Sequence, residues 1–485
     1  MMISQLIDGI KAKTKWHIPN LEVKGLAYDS RKVQPGDFFV AWKGQKSDGH
    51  HYVQEAIRNG AAAILCERWL PVDFPQIKVA DSRREMSLIA SRLYNTEKRK
   101  LRLICVTGTN GKTTTTYLFR ALGKAAGIKT ASIGTLGIQS PIKIPSSPLT
   151  TPESADLHRS IHLLDKSGLN ALIIEGSSIA FEQGRLDYLS FDVTGFTNLT
   201  QDHLDYHETM EAYYQAKKGL IDMREKGASA VINTDDDYGN RLLKEIKPPI
   251  DAISIKMNLG DFYFKKLELL DRGINASLKT PSGELRVELP IIGDYNASNL
   301  LMAVALYHRA GLPVPDYLGA QDFDSIPGRM EIISTKKGTA VIDFAHSPDA
   351  IEQVCKTLRK LIKNAKLITV MGAGGDRDNS KRPAMSHNAG RWSDVLILTN
   401  DNPRSEAPEK ILKELKYGLN TYTGEVRLIA DRREAINFAL DRSQPGDIIA
   451  ILGKGAEEYQ EIMNVKHRYR DQDVVLDWKC ANETE

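Results

Sequence analysis

Residues 101–116 read LRLICVTGTNGKTTTT. An apolar run, Leu101–Cys105, enters a Gly-containing turn, and the turn opens into a helix start. Strand, Gly turn and helix, in that order, are what an α/β fold uses to hold phosphate. Gly108 and Gly111 let backbone N–H groups close on a phosphate, and the helix N-terminus adds its positive end. Lys112 supplies a cation for β- and γ-phosphates, and the Thr113 hydroxyl suits Mg²⁺. The spacing is not the full G-x-x-x-x-G-K-[ST] pattern, because position 106 is Val.

Outward from this turn, strand-like and helix-like segments alternate along the whole chain, which predicts α/β architecture with mostly parallel sheets. Before it, Asp37–Ala41 and Ala62–Cys66 read as strands around a helix near Tyr52–Gly60, and the charged stretch NTEKRKLR (Asn95–Arg102) reads as a linker. After it, strands are expected at Lys129–Ile133, Ala171–Glu175, Val193–Asn198 and Ala228–Asn233. The alternation between Leu259 and Leu289 predicts antiparallel hairpins, and a helix follows over Asn296–Ala310. Pro327–Gly328 marks a second boundary. Beyond it, strands at Ala340–Asp343, Leu367–Met371, Val395–Leu398, Val426–Ile429 and Ile448–Leu452 alternate with helices, as in a Rossmann-like domain.

With 485 residues the chain exceeds one typical core and predicts about three domains. A formal net charge of +3 gives no electrostatic ground for nucleic-acid binding. No apolar stretch approaches the roughly 18 residues of a membrane span, and MMISQLIDGIKAK lacks a signal-peptide core. The four cysteines are scattered without a C-x-x-C pair, which suits a reducing cytosol.

Several strand ends carry chemistry. Asn198–Lys217 (NLTQDHLDYHETMEAYYQAK) offers Asp202, His203 and His207, with Lys217 on a helix; Glu175 ends the strand ALIIE. Next to a phosphate turn, such groups are candidate Mg²⁺ ligands. GAGGDRDNSK (Gly372–Lys381), DNPR (Asp401–Arg404) and GKGAEE (Gly453–Glu458) each follow a strand. Their mixed charge suits a ligand with both ammonium and carboxylate groups, such as an amino acid, and Arg404 is expected to point outward.

These segments, in this order and over nearly the whole chain, resemble the Mur ligase family. The likeness also rests on DSRKVQPGDFFVAWKGQKSDGHHYVQEAIRNGAAAI (Asp29–Ile64), LTTPES (Leu149–Ser154), GDYNASN (Gly293–Asn299), IPGRME (Ile326–Glu331) and DFAHSPDA (Asp343–Ala350). It implies a UDP-sugar-binding α/β domain over 1–96, a central P-loop-type ATP-binding domain over 97–327, and a C-terminal Rossmann-like domain that binds an amino acid over 328–485. It implies an ATP-dependent amide ligase of peptidoglycan precursor synthesis. That enzyme adds meso-diaminopimelate to UDP-MurNAc-L-Ala-D-Glu through an acyl phosphate, giving ADP and phosphate. Lys112, Glu175, His203 and Lys217 match catalytic positions. Thr113, Glu175, His203 and Lys217, the last as a CO₂-derived carbamate, match the Mg²⁺ shell. Gly108, Thr109, Asn110, Gly111, Lys112, Thr113, Thr114, Asn296, Asn299, Arg329, Asp343 and His346 match ATP contacts. Ser30, Thr150, Thr151, Ser177 and Arg185 match UDP-muropeptide contacts. Arg377, Asp401, Asn402, Pro403, Arg404, Gly453 and Glu457 match amino-acid contacts. The DNPR sequence resembles members that take diaminopimelate. The resemblance further implies a cytoplasmic monomer with small-molecule partners only, no nucleic acid and no membrane, whose last domain closes about a hinge near Pro327–Gly328.

Two positions depart from the family pattern. Where Glu-Val-Ser-Ser-His is usual, this chain has Glu175-Gly176-Ser177-Ser178-Ile179; where Gly-Lys-Gly-His-Glu is usual, it has Gly453-Lys454-Gly455-Ala456-Glu457. These lost histidines keep open a divergent ligase that adds lysine or another amino acid, or acts on another acceptor. A nucleotide-binding scaffold without catalysis is a third reading, opposed by the intact Lys112, His203 and Lys217. Folylpolyglutamate synthetase shares the central and C-terminal plan, without the N-terminal domain.

Overall fold

The computed structural model describes residues 1–14, 21–44 and 47–483. The chain forms two compact units: Met1–Thr107, Ile128–Thr194 and Ala216–Ala230 in the first; Gly108–Gly127, Gly195–Gln215 and Val231–Glu485 in the second.

The first unit opens with a five-stranded sheet in the order Lys13–Thr14, Gln76–Lys78, Ala63–Cys66, Asp37–Val40, Gly25–Ala27. Its pairs are parallel except for the antiparallel edge at Lys13–Thr14. Successive side chains of a strand point to opposite faces, so a sheet covered on both sides reads as a continuous apolar run. Phe38, Val40 and Leu65 accordingly join Met86 and Ile89 of helix Ser82–Tyr94 on one face. Phe39 and Ile64 join Val53 and Ala56 of helix Val53–Arg58 on the other. The strand Arg102–Thr107 pairs in parallel with Ala171–Glu175, which pairs in parallel with Thr130–Gly134; Gly137–Gln139 adds an antiparallel edge. Leu157, Ile161 and Leu164 of helix Ser154–Lys166, spaced at i, i+4 and i+7, pack on these strands.

In the second unit, helix Lys112–Ala125 lies along helix Asp294–Arg309, with the Phe119 and Tyr307 rings edge to face at 5.1 Å. The expected hairpins are present as Tyr263–Leu270, Gly273–Thr280 and Gly283–Leu289, all antiparallel. A six-stranded sheet follows in the order Glu331–Ser334, Gly338–Asp343, Asp447–Leu452, Leu367–Met371, Val395–Leu398, Glu425–Leu428. Only its first pair is antiparallel. Helices Pro348–Leu361, Arg382–Gly390 and Pro408–Lys416 supply one apolar layer, and Arg432–Arg442 with Asp471–Asn482 the other. This is the doubly wound, Rossmann-like arrangement that the alternation predicts.

Two elements near the C-terminus have no counterpart in the sequence reading. The hairpin Tyr459–Ile462/Val465–Arg468 is short and largely exposed, so it lacks the apolar alternation of a half-buried strand pair. Helix Asp471–Asn482 has no side-chain cap at its start. It is anchored instead by a fully buried ion pair between Asp471 and Arg432, 2.7 Å. Among the described residues, no helix is long and apolar enough to cross a membrane.

Candidate active site

The phosphate-type turn is held in shape by its own unit. Gly108 and Gly111 have φ of 147° and 88°, which L side chains rarely adopt. A Cβ would also collide with Thr197 at Gly108 and with Asn299 at Gly111. Asn198 grips the turn twice: its carbonyl accepts from the Thr109 N–H and its side-chain oxygen from the Asn110 N–H, both at 2.9 Å. Thr197 donates to the Asn110 carbonyl at 2.7 Å. Lys112 folds over the turn, its Nζ donating to the Gly108 and Thr109 carbonyls at 2.8 and 2.9 Å. Asn299 donates to Asn296 at 3.2 Å, and Arg329 reaches the Thr113 hydroxyl at 3.4 Å. The Asn110 amide donates to Asp349, the second residue of helix Pro348–Leu361, at 3.0 Å. Glycine N–H groups, a helix N-terminus, Lys112 and Arg329 thus gather positive charge around this turn, a setting suited to an anion.

Asp202 is the hub of a second cluster. Lys381 Nζ lies 2.8 Å from its Oδ1, while His203 Nε2 and His346 Nε2 each lie 3.5 Å from its Oδ2. Burial alone would raise the Asp202 pKa, but the facing His203, His346 and Lys381 hold it well below the usual carboxylate range. Asp343 shifts the other way. Burial raises it, opposed by Arg329 and by the N–H groups of Met330 and Ala345, both donating at 2.8 Å. The Arg329 guanidinium rests over Phe344 at 4.5 Å. His207 is buried and stacks on Tyr213 at 5.1 Å.

The three strand-end loops of the six-stranded sheet do meet. The Gly375 N–H donates to the Asn402 carbonyl at 2.9 Å, and Asn402 Nδ2 donates to Glu457 at 2.8 Å. Lys454, fully buried, donates to Asn402 at 3.0 Å and to Glu457 at 2.8 Å. Asp401 crowds Gly453, whose φ is 117°. Arg404 is not turned outward as expected. Its residue sits at φ 52°, its Nη1 donates to the Gly375 carbonyl at 2.6 Å, and its Nε pairs with Glu461 at 3.3 Å. The outward guanidinium is Arg377, 52% exposed and 3.7 Å from Asp205.

In the first unit, Thr151 donates to the Glu175 carbonyl at 2.7 Å and accepts from the Ser177 N–H at 3.0 Å. Thr135 donates to Glu175 and stands 3.2 Å from Thr150. Arg185 donates to the Thr151 carbonyl at 2.8 Å and pairs with Glu153, which also takes Arg83. Thr150, Thr151, Ser177, Arg185 and Glu175 are therefore neighbours. Ser30 bonds instead to Glu55 at 2.5 Å, in the N-terminal sheet's own layer. Lys217 is buried, 2% exposed.

The sequence reading did not assign roles to Asn198, Lys381, Lys454, Glu153 or Glu461. The first four lie inside the motifs quoted above, so proximity to a motif was the available signal; Glu461 has none. Gly176, in place of the usual Val, has a steric reason: a Cβ there would sit 2.6 Å from Phe181 and 2.8 Å from the Cys105 sulfur.

One part of the chain is thus equipped to hold a nucleotide's phosphates, and another carries paired cations and carboxylates at parallel-strand ends, the two provisions of an enzyme that activates an acid and presents an amine to it. Comparison with known proteins gives that class its family. Residues 22–93 match the Mur ligase family catalytic domain, 106–307 the Mur ligase middle domain, and 328–455 the Mur ligase glutamate ligase domain. The chain is 41% identical over 454 residues to the UDP-N-acetylmuramoyl-L-alanyl-D-glutamate--2,6-diaminopimelate ligase of Aquifex aeolicus, covering 93% of each. It is 36% identical to the protein of that name from Caldanaerobacter subterraneus, covering 100% of each. A solved structure of a protein of the same name superposes with TM-score 0.67 at 34% identity, covering 100% of both chains. The chain belongs to the Mur ligase family and is an ATP-dependent amide ligase.

Proposed function

We propose that this enzyme adds meso-diaminopimelate to UDP-MurNAc-L-Ala-D-Glu in peptidoglycan precursor synthesis, as a cytoplasmic monomer. The observation that carries the choice of amino acid is Arg404. Diaminopimelate differs from lysine by a second carboxylate, and a guanidinium oriented by Gly375 and Glu461 is suited to pair with it. Loss of such a pair changes selectivity by about 2–5 kcal/mol. Asp401, Asn402, Pro403, Gly453 and Glu457 would shape the rest of that pocket, with Glu457 toward the distal ammonium and Arg377 a second carboxylate partner.

The reaction begins with transfer of the ATP γ-phosphoryl group to the D-glutamate side-chain carboxylate, giving an acyl phosphate and ADP. The amine of the incoming amino acid attacks the acyl carbon, and the tetrahedral adduct expels phosphate as the amide forms. Two anions meet in the first step, so charge neutralisation dominates. Lys112, the N–H groups of Gly108–Thr114 and Arg329 would do this on the phosphates, with Asn296, Asn299, Asp343 and His346 seating the nucleotide. Ser30, Thr150, Thr151, Ser177 and Arg185 would hold the UDP-muropeptide. The donors Thr113, Glu175, His203 and Lys217 as a carbamate are mostly oxygen, the chemistry Mg²⁺ prefers. Bound Mg²⁺ would add positive charge at the β- and γ-phosphates. Lys217 is buried, and as a carbamate it would present anionic oxygen to the cation. Domain limits at 96/97 and 327/328 belong to the same reading.

The test is phosphate release with ATP, Mg²⁺ and UDP-MurNAc-L-Ala-D-Glu, comparing meso-diaminopimelate with L-lysine. Turnover with diaminopimelate and not lysine is expected. Turnover with lysine alone would overturn the choice of amino acid. Turnover with neither would favour the divergent-ligase reading, which Ile179 and Ala456 motivate.

A further inference from the structure

The hairpin Tyr459–Ile462/Val465–Arg468 lies against the loop that carries Arg404. Its second strand is exposed throughout, and it raises Ile462, Met463 and Val465 into solvent, 39%, 70% and 55% exposed. A two-stranded hairpin with no apolar layer is marginal in water. This one is fastened to the 401–404 loop: Gln460 Nε2 donates to the Asp401 carbonyl at 2.8 Å, and Arg404 engages its backbone. The Arg404 N–H donates to the Glu461 carbonyl at 2.9 Å, and the Met463 N–H donates to the Arg404 carbonyl at 2.7 Å, so Arg404 pairs with Ile462 as a third strand would. The Glu461 N–H in turn donates to Asn402 Oδ1 at 2.9 Å, two residues away in the same loop.

These bonds account for the conformation of Arg404. A non-glycine residue at φ 52° is unfavourable unless its surroundings fix it. The hairpin takes up both of its backbone groups, the Glu461 carboxylate lies 3.3 Å from its Nε as an ion pair, and the Gly375 carbonyl accepts from Nη1. A guanidinium has five N–H donors in a rigid fork, so fixing one edge aims the other. Glu461 is itself 12% exposed at the side chain, so solvent screens the pair only in part.

We infer that Glu461, at the base of this hairpin, is a positioning and specificity-determining residue: it sets the Arg404 fork for the distal carboxylate of the amino-acid substrate. This inference rests on the diaminopimelate reading above. An anionic side chain beside a carboxylate site would otherwise weaken binding, which makes its placement on the guanidinium's far edge informative.

The test compares wild type, Glu461→Ala, Glu461→Gln, Arg404→Ala and the Glu461→Ala/Arg404→Ala double variant, full-length. Steady-state phosphate release would be measured with diaminopimelate and with lysine. For Glu461→Ala, KM for diaminopimelate is expected to rise about tenfold or more, with kcat and the KM values for ATP and the UDP-muropeptide within about twofold. Glu461→Gln, which keeps the side chain's shape without its charge, should lose about as much, because the contact is an ion pair. In the Arg404→Ala background, Glu461→Ala should add nothing, the non-additivity of residues acting through one contact. An unchanged diaminopimelate KM in Glu461→Ala, an equal rise in the KM for ATP, or full additivity in the double variant would overturn the inference. If wild type uses diaminopimelate, those failures leave the proposed function standing; if it uses lysine only, both fall.

Discussion

At the scale of single residues, the chemistry-bearing groups lie in short linear motifs and were legible from the sequence. Their partners were not. Lys112 and the glycines around it announce a phosphate turn, and Lys112→Met should lower phosphate release about 100-fold or more while leaving the far-UV circular dichroism unchanged. Retention of a tenth of wild-type activity would remove Lys112 from the phosphate site. Asp202 is the contrary case. It can be noticed in NLTQDH, but its meeting with Lys381 and His346 needs chain separations of 179 and 144 residues, which no local pattern encodes. Asp202→Asn should destabilise the protein by about 3 kcal/mol at pH 7, since it leaves Lys381 largely buried opposite a neutral amide. The folded-state pKa of Asp202 is depressed, so its contribution is fully present above the unfolded carboxylate value of about 3.9 and fades as pH falls below it. Urea unfolding should therefore show a wild-type-to-variant gap that is full at neutral pH, narrows below about 3.9 and is lost only below the depressed folded-state value. A gap independent of pH would contradict this account.

At the scale of elements, strands buried on both faces were readable because they are predominantly apolar runs, as in LITVM at Leu367–Met371 and IIAIL at Ile448–Leu452. The hairpin at 459–468 and the final helix were not, since tertiary bonds rather than local pattern hold them. Packing makes two predictions. Tyr307 is fully buried on helix Asp294–Arg309 against Phe119, and among the described residues its hydroxyl has no hydrogen-bond partner. Tyr307→Phe should be neutral or raise stability by up to about 1 kcal/mol in urea unfolding; a clear loss would mean that the hydroxyl is satisfied. In the turn after strand Ala171–Glu175, restoring the family's valine alone should harm the protein. Gly176→Val would press on Phe181 and Cys105 and cost about 1–3 kcal/mol, and adding Phe181→Ala should relieve part of that strain. Tolerance of the single substitution would show that the Phe181 ring moves aside freely.

At the scale of the whole molecule, the order of the motifs predicted an α/β chain of several sheets, and five separate sheets are present among the described residues. The proposed hinge at Pro327–Gly328 is closely packed. Gly328 sits at φ 63° against the backbone of Gly455 and Ala456, so no side chain fits there. Burial also sorts the four thiols. It pushes Cys66 up to about 11 and Cys355 up to about 12, and Cys105 is likewise raised, so all three stay protonated and shielded; Cys480, on helix Asp471–Asn482, is exposed. A thiol-reactive dye should thus titrate one group per native chain and four after unfolding; two or more in the native state would show that a core strand opens. The native chain consequently carries its own attachment point for a fluorophore, on the last helix of the sheet that bears Arg404. Labelled without any engineered cysteine, the wild-type enzyme could report in real time, through anisotropy or quenching, when each substrate arrives.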